Sequence, residues 1–323
     1  MLDILEEIEK NGNAVNMQKD KIELGLNFFK EEDLSPKTNL SGYNNDDAMS
    51  NVHVVLLCVD NKSFNLHMPT CNMCICGKTM RDWVKNAVQG LDIVEAEMDS
   101  KEDFLPIVKE NLNDKKYTLV LFSDAPLIQY KTVQEIVEYF VLKSLSVLKF
   151  SRGYMFETSY LHAIDKLFNP QMQYFDEEDF ITCYNMKQFA LVSDIMRNRI
   201  LGYHQRNGVI ILDPNSTFID ADASIDSDVT IYPNNKIFGK TKISSEAVLR
   251  CNNVIKNSVI MSKTEIENSC IDSSVIKSGC LVKNYSTITN CILEDNCILK
   301  GYNYVESMKI NPNTTLGVFE KKE

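Results

Sequence analysis

Histidine runs out early in this chain. All four, His53, His67, His162 and His204, precede residue 205, so no imidazole base can come from the last third. Positive charge is also short. Lys and Arg number 34 against 45 Asp and Glu, a formal net charge of −11 with the basic residues scattered. That balance argues against binding to nucleic acid or an anionic membrane by bulk electrostatics, and neither is expected as a partner. No apolar run reaches the length needed to span a bilayer. The opening MLDILEEIEK is acidic and lacks the basic-then-apolar order of a secretory signal. The expected compartment is therefore the cytoplasm, where ten cysteines stay as reduced thiols.

A second cysteine pair is missing too. Cys71, Cys74 and Cys76 form C-x-x-C-x-C, but only Cys58 and His67 lie near in sequence. A structural zinc site generally takes four ligands, often as two such pairs, so these cysteines read as small core or loop residues. Cys251, Cys270, Cys280, Cys291 and Cys297 read as small packed hydrophobes.

What is present is a beat. Ile219, Ile225, Ile231, Ile237, Ile243, Leu249 and Ile255 stand at strict six-residue spacing. Neither a helix (period 3.6) nor a half-buried strand (period 2) produces that spacing, whereas a triangular β-solenoid does. Two positions before each stands a smaller residue, Thr217, Ala223, Val229, Asn235, Thr241, Ala247 and Asn253, suited to a position near the corner. Three hexads make one coil, and coils stack at roughly 4.8 Å. The beat continues in steps of five or six through Ile260, Ile266, Ile271, Ile276, Val282, Ile288, Leu293 and Ile298. The five-residue steps fall beside short polar corners such as Asn257-Ser258. A β-helix over residues 207–300, about five coils, is expected, with residues 301–323 as a tail covering the last coil.

Residues 1–50 are polar and Asn-rich, with helix-like stretches at 2–10 and 19–30 and a linker-like stretch at 31–51. They read as an appendage. From residue 51 to 206 strands and helices alternate. VHVVLLCV and TLVLF read as buried strands, 145–150 as a further strand, and 80–88, 132–142 and 185–201 as helices. That alternation implies an α/β layer with a largely parallel sheet, whose ligands bind at the carboxyl ends of the strands. Asp124, just past TLVLF, then stands where a metal-binding carboxylate would, although a turn or capping role fits the local sequence equally well.

These features together resemble the bacterial bifunctional N-acetylglucosamine-1-phosphate uridylyltransferase/glucosamine-1-phosphate acetyltransferase family. MPTCNMCICGKTMRDWV is similar to the family's LPKVLHxICGKPMxxYV, and LVLFSDAPLI to its VLVLxGDVPLI. IMRNRILGYHQRNGVIILDPNSTFI resembles its junction-plus-first-coil signature. The resemblance implies a Rossmann-like, MobA-like nucleotidyltransferase domain followed by a left-handed parallel β-helix of hexapeptide repeats. It also implies a homotrimer, with a nucleotide or sugar phosphate as ligand. Gly77 and Gly153 fall on substrate-binding positions, and Asp124 and Asn185 on the pair that holds Mg²⁺.

The departures are as telling. Where the family has the glycine loop GxGTRM, this chain has Val59, Asp60, Asn61, Lys62, Ser63 and Phe64. Both glycines and the arginine are gone, and a carboxylate enters. The phosphate-neutralising lysine falls on Thr70, and the family's EINTG falls on KFSRG, where only Gly153 survives. Uridylyl transfer rests on positioning and charge stabilisation, and losing one preorganised donor typically costs about 10²- to 10³-fold. Several losses together imply roughly 10⁴-fold or more. The acetyl-transfer half needs a histidine among further coils, and none follows His204. The expected function is a scaffolding or regulatory paralogue whose two chemistries are lost. The alternative is an active nucleotidyltransferase with an altered Mg²⁺-dependent site around Asp124, Asn185 and Gly77.

Overall fold

The computed structural model describes residues 45–60, 64, 67–98, 104–167 and 170–322. The helix-like stretches at 2–10 and 19–30 lie outside them. The described residues form two compact units that divide between Asp194 and Ile195.

The first unit begins with α1 (Asn45–Ser50), inside the stretch read above as linker, where Ala48 and Met49 are buried in the core. β1 (Val52–Val59) is buried from Val52 to Cys58. Such unbroken burial belongs to a strand covered on both faces. A short hairpin follows, β2 (Cys74–Ile75) and β3 (Lys78–Thr79), then α2 (Met80–Ala87), whose start is capped by the Thr79 hydroxyl accepting from the Asp82 amide. Next come β4 (Asp92–Met98), α3 (Phe104–Glu110), β5 (Tyr117–Phe122) and α4 (Tyr130–Leu142). The buried Asp179 carboxylate accepts from the Gln129 amide and the Thr132 hydroxyl, placing negative charge at the start of α4. β6 (Val147–Phe150), β7 (Gly153–Glu157), α5 (Thr158–Ala163) and β8 (Gln171–Met172) complete the layer. α6 (Met186–Arg206) then carries the chain into the second unit.

The sheet order is β4-β1-β5-β7-β6-β8. β1 is parallel to β4 and β5, whereas β7 is antiparallel to β5 and β6, so the sheet is mixed rather than largely parallel. Period-2 alternation sorts its side chains. Val54, Leu56, Leu119 and Leu121 pack with α1, α2 and α4, while Val55, Leu57, Val120 and Phe122 pack with α3 and α5. The carboxyl ends of β1 and β5 are tied side by side. The Val59 amide donates to Ser123 Oγ at 3.1 Å, and the Ser123 amide to the Leu57 carbonyl at 3.0 Å.

The second unit is a three-faced parallel β-solenoid with sheets of seven, six and seven strands. One face stacks Ile219, Ile237, Ile255, Ile271, Ile288 and Val305 inward. A second stacks Ile225, Ile243, Ile260, Ile276, Leu293 and Ile310. The third stacks Ile211, Ile231, Leu249, Ile266, Val282, Leu299 and Leu316. The smaller residues two positions earlier are buried as their size requires. Asn253 Nδ2 donates to Asn235 Oδ1 at 2.9 Å, and the Ser269 amide to Asn253 Oδ1 at 3.0 Å, a polar ladder beside the apolar one.

Two sequence expectations change here. Leu299, not Ile298, points inward: Ile298 is 37% exposed and Leu299 fully buried. And residues 301–322, read as a covering tail, pair in register as a further coil through Tyr304–Glu306, Lys309–Ile310, Thr315–Leu316 and Lys321–Lys322. At the corners the chain turns through left-handed backbone, for example at Asp228, Asn234, Asn252, Asn257 and Asn290. A non-glycine residue there costs about 1–2 kcal/mol, least for Asn and Asp. Each fully buried Ile returns about 1.5–3 kcal/mol, so the coil is favourable.

Candidate functional site

The positions singled out by sequence lie around the carboxyl ends of β1 and β5. Gly77 is the second residue of the turn in the β2–β3 hairpin. Cys74 pairs with Thr79 and Ile75 with Lys78, leaving Cys76 (φ 46°) and Gly77 (φ 85°) as a two-residue turn with positive φ at both positions. Such a turn matches the strand twist and favours glycine. The Trp83 indole N–H donates to the Ile75 carbonyl at 2.8 Å and fixes the hairpin against α2.

Beyond β1, the Asp60 carboxylate accepts the Thr70 amide at 3.1 Å, and the Thr70 hydroxyl donates to the Val59 carbonyl at 3.0 Å. A carboxylate therefore takes an amide in the region where the resemblance implies phosphate contacts. Thr70 is buried and cannot act as a cation. Nearby, Cys58 and Cys71 interact, and burial pushes the Cys58 thiol up to about 12. Among the described residues no group of three or more His, Cys, Asp or Glu side chains is placed to hold a metal.

Asp124 is 4% exposed and both of its oxygens are taken. Arg152 Nε donates to Oδ1 at 2.8 Å and Nη2 to Oδ2 at 2.5 Å, a bidentate pair. The guanidinium also lies over the Phe122 ring, 4.1 Å from its centroid. Arg152 reaches this place because β6 and β7 are joined by only Ser151 and Arg152, Phe150 being paired with Gly153. Gly153 itself is explained by packing. A Cβ there would lie 2.3 Å from the Phe150 ring and 2.7 Å from the Val120 carbonyl oxygen.

Asn185 is brought into the same neighbourhood. The Cys183 amide donates to the Asp124 main-chain carbonyl at 2.8 Å, two residues before Asn185. Burial first, and the Asp124 charge second, push the Cys183 thiol up to about 12. The Asn185 side-chain oxygen, however, accepts the Gln188 amide at 3.0 Å at the start of α6. Tested as a Mg²⁺ site, the donor set does not fit. A hard cation wants free carboxylate and amide oxygens, and those of Asp124 and Asn185 are committed to N–H donors. Arg152, the residue sequence reasoning passed over, supplies the positive charge instead. It stood in plain view as the arginine of KFSRG, but its partner is 28 residues away and the pairing has no local signature.

The family model for the GMPPB C-terminal domain matches residues 208–322. The bifunctional protein GlmU of Clostridioides difficile (strain 630) is 38% identical over 109 residues, 34% of this chain and 24% of that protein. The bifunctional protein GlmU of Clostridium kluyveri (strain ATCC 8527) is 42% identical over 89 residues, 28% of this chain and 20% of that protein. The chain thus spans about a quarter or less of the length of these curated relatives. The crystal structure of Rv0371c from Mycobacterium tuberculosis H37Rv overlaps 44% of this chain and 98% of its own, at 10% identity and a TM-score of 0.36, which carries no weight. Over its C-terminal third, the chain is similar to the GlmU proteins and to the GMPPB C-terminal domain.

Proposed function

We propose that this chain is a non-catalytic relative of the GlmU proteins, serving as a scaffold or regulator in amino-sugar nucleotide metabolism. The observation that carries the reading is the bidentate Arg152–Asp124 pair, which neutralises the carboxylate the family resemblance assigns to Mg²⁺. The Asp60–Thr70 hydrogen bond supports it, because an acceptor oxygen there repels a triphosphate rather than cradling it. Residual uridylyl transfer through Asp124, Asn185 and Gly77 is the competing reading. It requires Arg152 to swing away before a metal can enter.

The test is pyrophosphate release by the full chain supplied with UTP, Mg²⁺ and N-acetylglucosamine 1-phosphate. No sugar-dependent release above the uncatalysed background is expected, and turnover at ordinary enzymatic rates would reverse the proposal. The same reading makes the prism a cytoplasmic homotrimer, its three flat faces offering broad contact surfaces. A monomer in sedimentation at micromolar concentration would count against that assembly. Among the described residues no helix is long and apolar enough to cross a membrane.

A further inference from the structure

At the amino end of the sheet, opposite Asp124, three side chains meet in an arrangement that one proton decides. His53, the second residue of β1, is 4% exposed. Its Nε2 lies 2.8 Å from the Asn111 carbonyl oxygen, an acceptor only, so Nε2 carries a hydrogen. Its Nδ1 lies 3.0 Å from Asp92 Oδ2 on β4 and 3.0 Å from Asn113 Nδ2 in the α3–β5 connection. Asn113 Nδ2 also donates to Asp92 Oδ2. The orientation of that amide is set by its other end, where Asn113 Oδ1 accepts the Lys115 main-chain N–H at 2.9 Å. The corner is a triangle of one carboxylate acceptor, one amide donor and one imidazole nitrogen that can be either.

Each protonation state fits one pairing. With Nδ1 bare, two acceptors face each other and need a donor between them, which Asn113 supplies. With Nδ1 protonated, the imidazolium donates directly to Asp92, a charge-assisted bond. Nδ1–H and the Asn113 N–H then point at each other, two donors without an acceptor, and the amide is expelled. We propose that His53 is a proton-operated latch on the α3–β5 connection. The neutral ring holds Asn113, and the charged ring exchanges Asn113 for Asp92. Acid thus ties β1 more tightly to β4 and loosens the connection. The release reaches α1, because Asn113 positions Lys115, whose Nζ donates to the Ser50 carbonyl at 2.8 Å. Among the described residues Asp92 is the one charged group bonded to His53. On α3, Lys109 turns to Asp165, while Glu110 and Asp114 are exposed. Thr118, the register partner on β5, is bonded to Thr158. The Asp92 side chain is 55% exposed, which gives the proton a route from water. Imidazole is also the side chain whose charge ordinarily changes between about pH 5 and 8.

The test is nitrogen-15 NMR of the full chain, which reads the two imidazole nitrogens separately. Amide hydrogen exchange at residues 112–116 is followed over the same range, about pH 8 to 5. His53→Gln assigns the resonance among the four histidines. At the alkaline end Nδ1 is expected bare and Nε2 protonated. At the acid end both carry hydrogen, and protection factors at 112–116 are expected to fall at least threefold. Asn113→Ala is expected to abolish that fall while His53 still titrates. The proposal fails if Nδ1 keeps one state across the range, or if protection at 112–116 is equal at both ends. A fall that persists undiminished in Asn113→Ala would equally overturn it.

Discussion

The two units are constrained in different ways. The prism keeps a rule: inward aliphatic, small corner residue and left-handed turn, coil after coil from Ile211 to Leu316. In the α/β unit the residues that the resemblance implies do chemistry each have a structural contact. Gly77 turns a hairpin, Gly153 admits the Phe150 ring, Asn185 caps α6, and Asp124 is held by an arginine. Packing constrains a repeat at every step. A site is constrained only by its ligand, and its residues can be reassigned while the sheet stands.

The largest expected effect lies in the prism. Ile271→Ala removes a fully buried side chain stacked between Ile255 and Ile288. It should destabilise the prism by about 2–5 kcal/mol in urea unfolding followed by circular dichroism. An effect below about 1 kcal/mol would deny that the inward ladder holds the coils.

Next is the ion pair. Arg152→Ala leaves the Asp124 charge buried and unmatched, at a cost of about 3 kcal/mol, reduced because Arg152 is partly exposed. Adding Asp124→Asn should recover most of it, since the double variant has no stranded charge. If Arg152→Ala is silent while Asp124→Asn alone destabilises, something other than Arg152 balances the carboxylate.

Much of the prism was legible because its period assigns every side chain a direction. It failed at Ile298, where two aliphatics adjoin and either could keep the beat. It failed again past Gly301, where Val305, Ile310 and Leu316 are spread among polar corners and Pro312. In the α/β unit the central strands were legible because both faces are buried. β4 was not, since DIVEAEM at the sheet edge shows its acidic residues to water and reads as polar. Pro106 likewise obscured α3. The site was legible only as departures. That Asp124 would meet Arg152 depends on a tight hairpin bringing two distant residues together.

The smallest effect concerns acid. Burial holds the His204 imidazole down, at about 4, against 6.5 in the unfolded chain. The unfolded state therefore takes up a proton first as pH falls. Stability is fully present above about 6.5 and is lost between there and about 4. The loss reaches about 2 kcal/mol at pH 5. His204→Leu should flatten that part of the melting-temperature profile; an unchanged acid slope would show that other groups set it.

The central proposal is that the carboxyl ends of β1 and β5 do not accept a metal-bound nucleotide. Titration calorimetry of UTP into the full chain, with and without Mg²⁺, addresses it directly. The account predicts no magnesium-dependent heat beyond dilution. Saturable, magnesium-dependent binding that disappears in Asp124→Ala would contradict it.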